Sequence, residues 1–375
     1  MVPGRPTRPA RPPGADRPGR HRLGAAPPQG DQATMRIGVL TSGGDCPGLN
    51  AVIRSIVHRG TDVHGDEIVG IEDGFLGLIE GRARTVSHDD VTGLLTLGGT
   101  VLGSARVRRD RIEQAVRESR ELAGALGIDA LITIGGEGTL TAARMFSDAG
   151  LPVVGVPKTI DNDIDATDVT FGFDTAVHVA TEAIDRLKTT AESHQRVMVV
   201  ELMGRHTGWI TLTAGMAGGA HGILIPEKPF DIEAVARMVE ERFRRGKKFA
   251  IIAVAEGARP MPGTLRFDHG GVDQYGHQTF GGIGNKLARE LEDILGTEAR
   301  PVILGHTQRG GCPTARDRAL ATRFGWHAVE AVHKGAFGHF TALRGSEVEL
   351  LPIADGVREL KTVPEYRWLE SEAVL

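Results

Sequence analysis

One pattern, repeated along the chain, constrains the fold most: a short apolar run, a glycine-rich polar loop, then a helical stretch. It first occurs in RIGVLTSGGDCPGLNAVIRSIVHRG, read as strand 36–41, loop 42–48 and helix 49–60. It recurs in DALITIGGEGTLTAARMFSDAG, read as strand 129–134, loop 135–138 and helix 139–149. LPVVGVPKTIDND is a strand ending in a polar cluster, and QRVMVVELMGRHTGWI a strand over 195–201 followed by a loop and a helix. GAHGILIP, KKFAIIAVAEGA and RPVILGHTQRGG add short apolar strands that each run into polar loops. Short apolar strands alternating with helices predict an α/β fold, with helices on both faces of mainly parallel sheets. Two strand groups, near 36–156 and 195–305, predict two doubly wound domains: 35–172 plus about 308–340, and 173–307 plus about 341–375. Such sheets bind ligands at the carboxyl ends of their strands, so the active site is expected in the cleft between the domains.

The net charge of −4 gives no reason to expect a nucleic acid or an anionic membrane as partner. No apolar run approaches the roughly 20 residues that span a bilayer. The two cysteines, Cys46 and Cys312, have neither CxxC nor zinc spacing, so the expected compartment is a reducing cytoplasm. Residues 1–34 are rich in Pro, Arg and Gly and almost lack large apolar side chains, which predicts disorder. Met35 precedes the first clean strand and is expected to be the functional start, or the tail before it to be dispensable.

Several loops carry candidate chemistry. GGDCPGLN places Gly43, Gly44 and Gly48 between a strand and a helix, where backbone N–H groups bind anions; a tight turn explains the same glycines. In GGEGT, Glu137 is placed to reach a metal ion held by nucleotide phosphates, and Gly138 lets a phosphate chain pass close; Thr139 also fits a helix N-cap. In PKTIDND, Asp161 and Asp163 fall on one side if the segment is extended. Paired carboxylates repel, so they suit a base beside an orienting or metal-side group, unless the run is an Asx-rich surface turn. Arg106, Arg196, Arg205, Arg300 and Arg309 cluster at predicted strand ends and suit phosphate monoesters. His306 there suits a sugar or its phosphate, although a satisfied histidine is as good a reading.

Taken together, GVLTSGGDCPGLNAVIR, GGTVLGSAR, IGGEGTLTAA, PKTIDNDI, TAESHQRVMVVELMGRHTGWI, AVAEGA and ILGHTQRGGCPTARDR resemble the 6-phosphofructokinase family, in order from about Met35 to about Arg344. The resemblance implies phosphoryl transfer to the 1-hydroxyl of fructose 6-phosphate, with Mg²⁺ and with ATP or pyrophosphate as donor. It makes the first domain the nucleotide and Mg²⁺-phosphate domain and the second the sugar-phosphate domain. It implies Asp161 as the base, with Thr159, Asp163 and Arg205 beside it, and Glu137 on the metal side, where many relatives have Asp. It implies donor contacts from Gly44, Arg106, Val107, Gly136, Gly138 and Thr139, with Phe75 placed either against adenine or in the core. Sugar contacts fall on Met203, Gly204, Arg205 and Glu256, and the 6-phosphate pocket on Arg196, Arg300, His306 and Arg309. Arg196 and Arg300 are implied to reach in from a neighbouring subunit, so a homodimer or homotetramer with shared sites is expected.

Two positions mark the donor in this family, and here they disagree. Gly138 leaves room for the α-phosphate and nucleoside of ATP, whereas Lys158 is the residue usual in pyrophosphate users. Gly138 weighs more, because an added carboxylate excludes by bulk and charge while a lysine can move. Pyrophosphate is therefore the alternative donor. An NAD or lipid kinase explains only GGEGT, and a non-catalytic sensor does not explain Asp161. Arg54 matches an arginine of the family's effector site. His58 stands where a relative has Arg, and Lys188, Lys247 and Lys248 supply further charge, so altered effector control is expected.

Overall fold

Valine- and isoleucine-rich runs become strands buried along almost their whole length, because helices cover both faces of the sheets they join. A computed structural model describes residues 34–267, 270–271 and 280–372; the Pro/Arg-rich tail lies, but for Thr34, outside the described residues. The larger sheet is built from β1 (Arg36–Ser42), β2 (Glu67–Ile71), β3 (Ala83–Thr85), β4 (Ala130–Gly135), β5 (Val153–Thr159) and β6 (Phe171–Gly172). The smaller holds β7 (Val197–Leu202), β8 (Gly222–Leu224), β9 (Ala250–Ala255) and β10 (Ala299–Ile303), while β11 (His339–Arg344) and β12 (Glu347–Pro352) return to the larger. The orders are β12-β11-β5-β4-β1-β2-β3, with β6 beside β5, and β10-β7-β9-β8. Among the described strands, only the β2–β3 and β11–β12 pairings are antiparallel, so the expected α/β fold with mainly parallel sheets is found.

Register fixes where the loops emerge. Ser42 of β1 lies opposite Gly135 of β4, and Gly135 opposite Pro157 of β5, so the loops after these strands leave the sheet side by side. In the smaller sheet, Leu202 pairs with Ala255, and Glu201 with Ile303, which aligns the segments beginning at Met203, Glu256 and Leu304.

The domain expectation needs one correction. It put about 341–375 with the second sheet, but β11 pairs with β5, and β12 with β11, in the larger one. Alternating residues such as Phe340 and Ala342, both fully buried, fill that sheet's core, and this holds the hairpin there. Only the chain beyond it meets elements of the smaller sheet, where Trp209 Nε1 donates to Lys361 O at 2.8 Å and Val363 N to Glu227 Oε1 at 2.9 Å. Among the described residues, no helix is long and apolar enough to cross a membrane.

The first described helix, Leu49–Arg59, packs against Ala315–His333. Gly325 permits the close approach: a Cβ there would stand 2.7 Å from Val52 O and 2.9 Å from the Ser55 Cβ. Ser55 Oγ donates to Thr322 O at 2.7 Å, and Arg59 Nη2 meets Glu330 Oε1 at the same distance. Gly325→Val should overpack this crossing and lower unfolding stability in urea by about 2 kcal/mol. Gly124→Ala, in a helix where a Cβ meets nothing within 4 Å, should raise it by about 0.5 kcal/mol in the same assay.

Candidate active site

The loop after β1 is pinned from three sides. Lys158, on β5 and only 2% exposed, donates to Ser42 O at 3.2 Å and also to Gly44 O. Ser104 Oγ donates to Gly43 O at 2.6 Å, tying in the segment that carries Arg106. Arg309 donates to Asp45 O at 3.2 Å, with its guanidinium against Gly44, where a Cβ would come within 2.8 Å of Nη1. Burial pushes the Lys158 ammonium below the usual lysine range. Cys46, buried beneath the loop, has its thiol pushed up to about 12, which removes it as a nucleophile.

The second loop is shorter than expected. Gly136 caps the helix Glu137–Asp148, so Glu137 and Gly138 lie in its first turn rather than in a loop. Thr139 is therefore inside the helix and 6% exposed, not its N-cap. Glu137 is exposed and accepts from Thr141 Oγ1 at 3.1 Å, and a Cβ on Gly138 would point into open space. Val107 is half-buried against the apolar core. Phe75 requires a correction: it is 3% exposed and stacks on Phe146 at 5.4 Å between ring centres, so it is a core residue with no face free for adenine.

The third loop brings the carboxylates together, but not on an extended segment. Strand β5 ends at Thr159, and Asn162 adopts a left-handed φ of 53° that turns the chain between Asp161 and Asp163. Asn162 Oδ1 accepts from Thr170 N at 3.1 Å, which supports that turn. Asp161 is 5% exposed and its Oδ1 has no partner; Oδ1 of Asp163 is likewise buried and unpaired. Burial raises the Asp161 carboxyl above its ordinary value, against the charges of Arg309, Arg205, Lys158 and His206, which pull it down. Asp163 is pushed up to about 7 by burial and by the negative charge of Asp161, with Glu137 adding to the rise. Thr159 Oγ1 accepts from Asp161 N at 3.1 Å.

The smaller sheet faces this loop with Met203–Arg205. Glu256 Oε1 accepts from Gly204 N at 3.3 Å and Arg205 N at 3.0 Å, and burial raises its carboxyl. Thr207 Oγ1 donates to Asp161 O at 3.2 Å, joining the two sheets' loops directly. Arg205 and His206 also line a cavity of about 320 Å³ with Glu227, Arg259 and Phe280. His306 is exposed in the turn Gly305–Arg309, whose Arg309 reaches the Gly44 loop and the charge field of Asp161. Arg196 and Arg300 are not brought into this cluster. They stand at the amino ends of β7 and β10, both paired with Glu298, with Arg196 Nη2 at 2.9 Å. At the effector positions, His58 Nδ1 lies 3.3 Å from Asp62 Oδ2, and His88 Nε2 2.8 Å from Asp62 Oδ1. Lys188 pairs with Asp185 at 2.9 Å, and Lys247 and Lys248 are exposed.

Sequence reasoning missed the residues that hold the loops: Asn50, which donates to Leu97 O and Gly98 O at 3.1 Å, Ser104, Thr207 and Lys361. Their partners are backbone atoms or side chains far along the chain, and no local spacing signals such bonds.

A carboxyl whose folded-state pKa is raised stabilises the fold at low pH and loses that contribution as pH climbs from its unfolded value near 3.8 to about 7. Asp163→Asn should therefore raise the melting temperature of the ligand-free, metal-free protein by about 2 °C or more near pH 8. Below about pH 3.8, where the carboxyl is protonated in both states, the gain should vanish, and scanning calorimetry on either side of that pH reads the difference.

Comparison with known proteins agrees with this geometry. Residues 36–332 match the family model described as Phosphofructokinase. The chain is 66% identical to ATP-dependent 6-phosphofructokinase 2 of Streptomyces coelicolor, over 91% of this chain and 100% of that one. It is 57% identical to a pyrophosphate–fructose 6-phosphate 1-phosphotransferase of Amycolatopsis methanolica, over 90% of this chain and 99% of that one. Among solved structures it resembles Pichia pastoris phosphofructokinase in the T-state, with TM-score 0.77 and 31% identity over 92% of this chain and 37% of that longer one. With its parallel sheets, its paired buried carboxylates and these matches, the chain belongs to the phosphofructokinase family.

Proposed function

We propose that the chain transfers the γ-phosphoryl group of ATP to the 1-hydroxyl of fructose 6-phosphate, giving fructose 1,6-bisphosphate. The observation that carries this reading is the pair of buried carboxylate oxygens, one on Asp161 and one on Asp163, that have no protein partner. A buried acceptor left unpaired costs about 1–3 kcal/mol, so the site is built for a group it does not itself contain. Asp161 Oδ1 accepts the proton of the sugar hydroxyl, and its raised proton affinity helps it do so near neutral pH. Arg309, Arg205 and Lys158 place positive charge around Asp161, where the transferred group gathers negative charge. The Gly204 and Arg205 amides, fixed by Glu256, present the sugar-binding loop.

Glu137 and Asp163 fit a divalent cation such as Mg²⁺: Asp163 Oδ1 lacks a partner, and Glu137 is close enough to raise its carboxyl. When bound, the cation neutralises phosphate charge on the donor. Arg196 and Arg300 lie at the opposite strand ends from Asp161, which supports their serving a second subunit's site in a dimer or tetramer. The two-domain division, with nucleotide on the larger sheet and sugar phosphate on the smaller, and a cytoplasmic location belong to the same reading.

ATP is favoured as donor because a side chain at Gly138 would extend into the open space before the helix Glu137–Asp148. Lys158 favours the second reading, pyrophosphate, which the name of the Amycolatopsis relative also carries. Yet its ammonium is engaged by Ser42 O and Gly44 O, inside the loop. Purified protein assayed with fructose 6-phosphate, Mg²⁺ and either donor decides between them; turnover with pyrophosphate alone would overturn the ATP assignment. Gly138→Asp should lower kcat/KM for ATP at least 100-fold, because its carboxylate would add bulk and like charge in the open space proposed for the donor, with binding of fructose 6-phosphate unchanged by calorimetry. Asp161→Ser should lower kcat by a factor on the order of 10³ while fructose 6-phosphate still binds; near-normal turnover would remove Asp161 from the base role.

A further inference from the structure

The segment Leu360–Val363 lies beyond residue 332, where the match to the family model ends, yet it grips the loop that carries both carboxylates. Lys361 Nζ donates to Asn162 Oδ1 at 3.0 Å, Thr167 O at 2.9 Å and Asp168 O at 3.0 Å. An ammonium has three N–H donors, and all three are used on one loop. Its backbone adds a further bond, Lys361 N to Asp163 O at 3.0 Å, and Leu360 bridges Ile164 in antiparallel fashion. On the other side, Lys361 O accepts from Trp209 Nε1 at 2.8 Å, so the strap is anchored to the helix that follows the sugar-binding loop. Asn162 is the residue whose left-handed turn sets Asp161 and Asp163 apart, and its Oδ1 is shared between Thr170 N and Lys361 Nζ.

We propose that Lys361 is a positioning residue: it locks the turn at Asn162 and thereby holds Asp161 at the distance its proton transfer needs. Lys361 touches neither carboxylate group through its ammonium, so it acts through Asn162 and the backbone of 163–168. A non-helical residue at positive φ relaxes unless its surroundings over-determine it. Without the ammonium, Asn162 Oδ1 keeps only its bonds from Thr170, and the carbonyls of Thr167 and Asp168 lose theirs. Misplacement of a reacting group by about 1 Å costs a factor on the order of 100 in rate, so even a smaller drift of Asp161 is measurable.

The consequence for catalysis rests on the phosphoryl-transfer reading, so the test has two readouts. In the full chain, Lys361→Met should lower kcat about 10-fold or more while KM for fructose 6-phosphate changes less than about threefold. Lys361→Arg, which keeps the charge and donors, should recover kcat to within about threefold of wild type. Hydrogen exchange should show the amides of 160–168 exchanging faster in Lys361→Met and not in Lys361→Arg. A kcat within twofold of wild type, or unchanged exchange at 160–168, overturns the proposal. Should the wild type transfer no phosphoryl group, the function reading fails, and the exchange measurement alone decides whether Lys361 holds the loop. Should Lys361→Met not fold, Trp209→Phe replaces it: loss of the Nε1 anchor should speed exchange at 160–164, and no change there overturns the proposal.

Discussion

The structure turns on the burial of two carboxylates within one short loop. Burying Asp161 and the Oδ1 of Asp163, each with an unpaired oxygen, works against the fold. Opposing charges offset part of that cost. Arg309, Arg205, Lys158 and His206 all lower the Asp161 carboxyl, though burial still outweighs them. These groups come from β5 itself, from the loop after β7 and from the turn after β10, so the carboxylate is compensated only when both sheets are assembled. The site is in this sense an electrostatic joint as well as a catalytic one.

Backbone bonds make that joint stiff. Thr207 reaches Asp161 O from the loop after β7, Lys361 reaches Thr167 O and Asp168 O beyond the turn, and Lys158 holds the Gly44 loop against β5. Each is a polar side chain satisfied by main-chain acceptors of a different segment. Such bonds are individually worth about 1 kcal/mol in stability, but they fix loops that the hydrophobic core does not reach. Glu201 shows the same device in the smaller sheet, where Oε2 accepts from Gly284 N at 2.7 Å and Gly282 N at 3.1 Å at the start of the helix Ile283–Leu295.

What could be read in the sequence was what depends on local pattern. Buried parallel strands are continuous apolar runs, so β1, β4 and β7 were located to within about two residues, and β5 and β9 lie inside the apolar segments read as strands. The loops at their carboxyl ends carried the polar residues, and Asp161, Asp163, Glu256, Arg205 and Arg309 do converge there. Three things were not legible. The turn at Asn162 replaced an extended segment, because its left-handed φ is stabilised by Thr170 and Lys361 from outside the motif. Phe75 was ambiguous between ligand and core, and Phe146, some seventy positions away, decides it. The β11–β12 hairpin joined the first sheet because Phe340 and Ala342 alternate into that core, a choice of partner that strand periodicity does not encode.

The disagreement between Gly138 and Lys158 also has a physical resolution. A lysine marks a donor only if its ammonium faces the donor, and a single residue type says nothing about direction. Here Lys158 points back along β1, where Ser42 O and Gly44 O accept from it, and burial weakens its hold on the proton. On the proposed reading its effect on a donor would pass through the shape of the Gly43–Gly44 loop that it holds. Gly138 differs, since a side chain there would extend into open space rather than into a loop contact. On the proposed reading, Gly138 is the position where bulk would separate a large donor from a small one, and a lysine that shapes a shared loop is compatible with both.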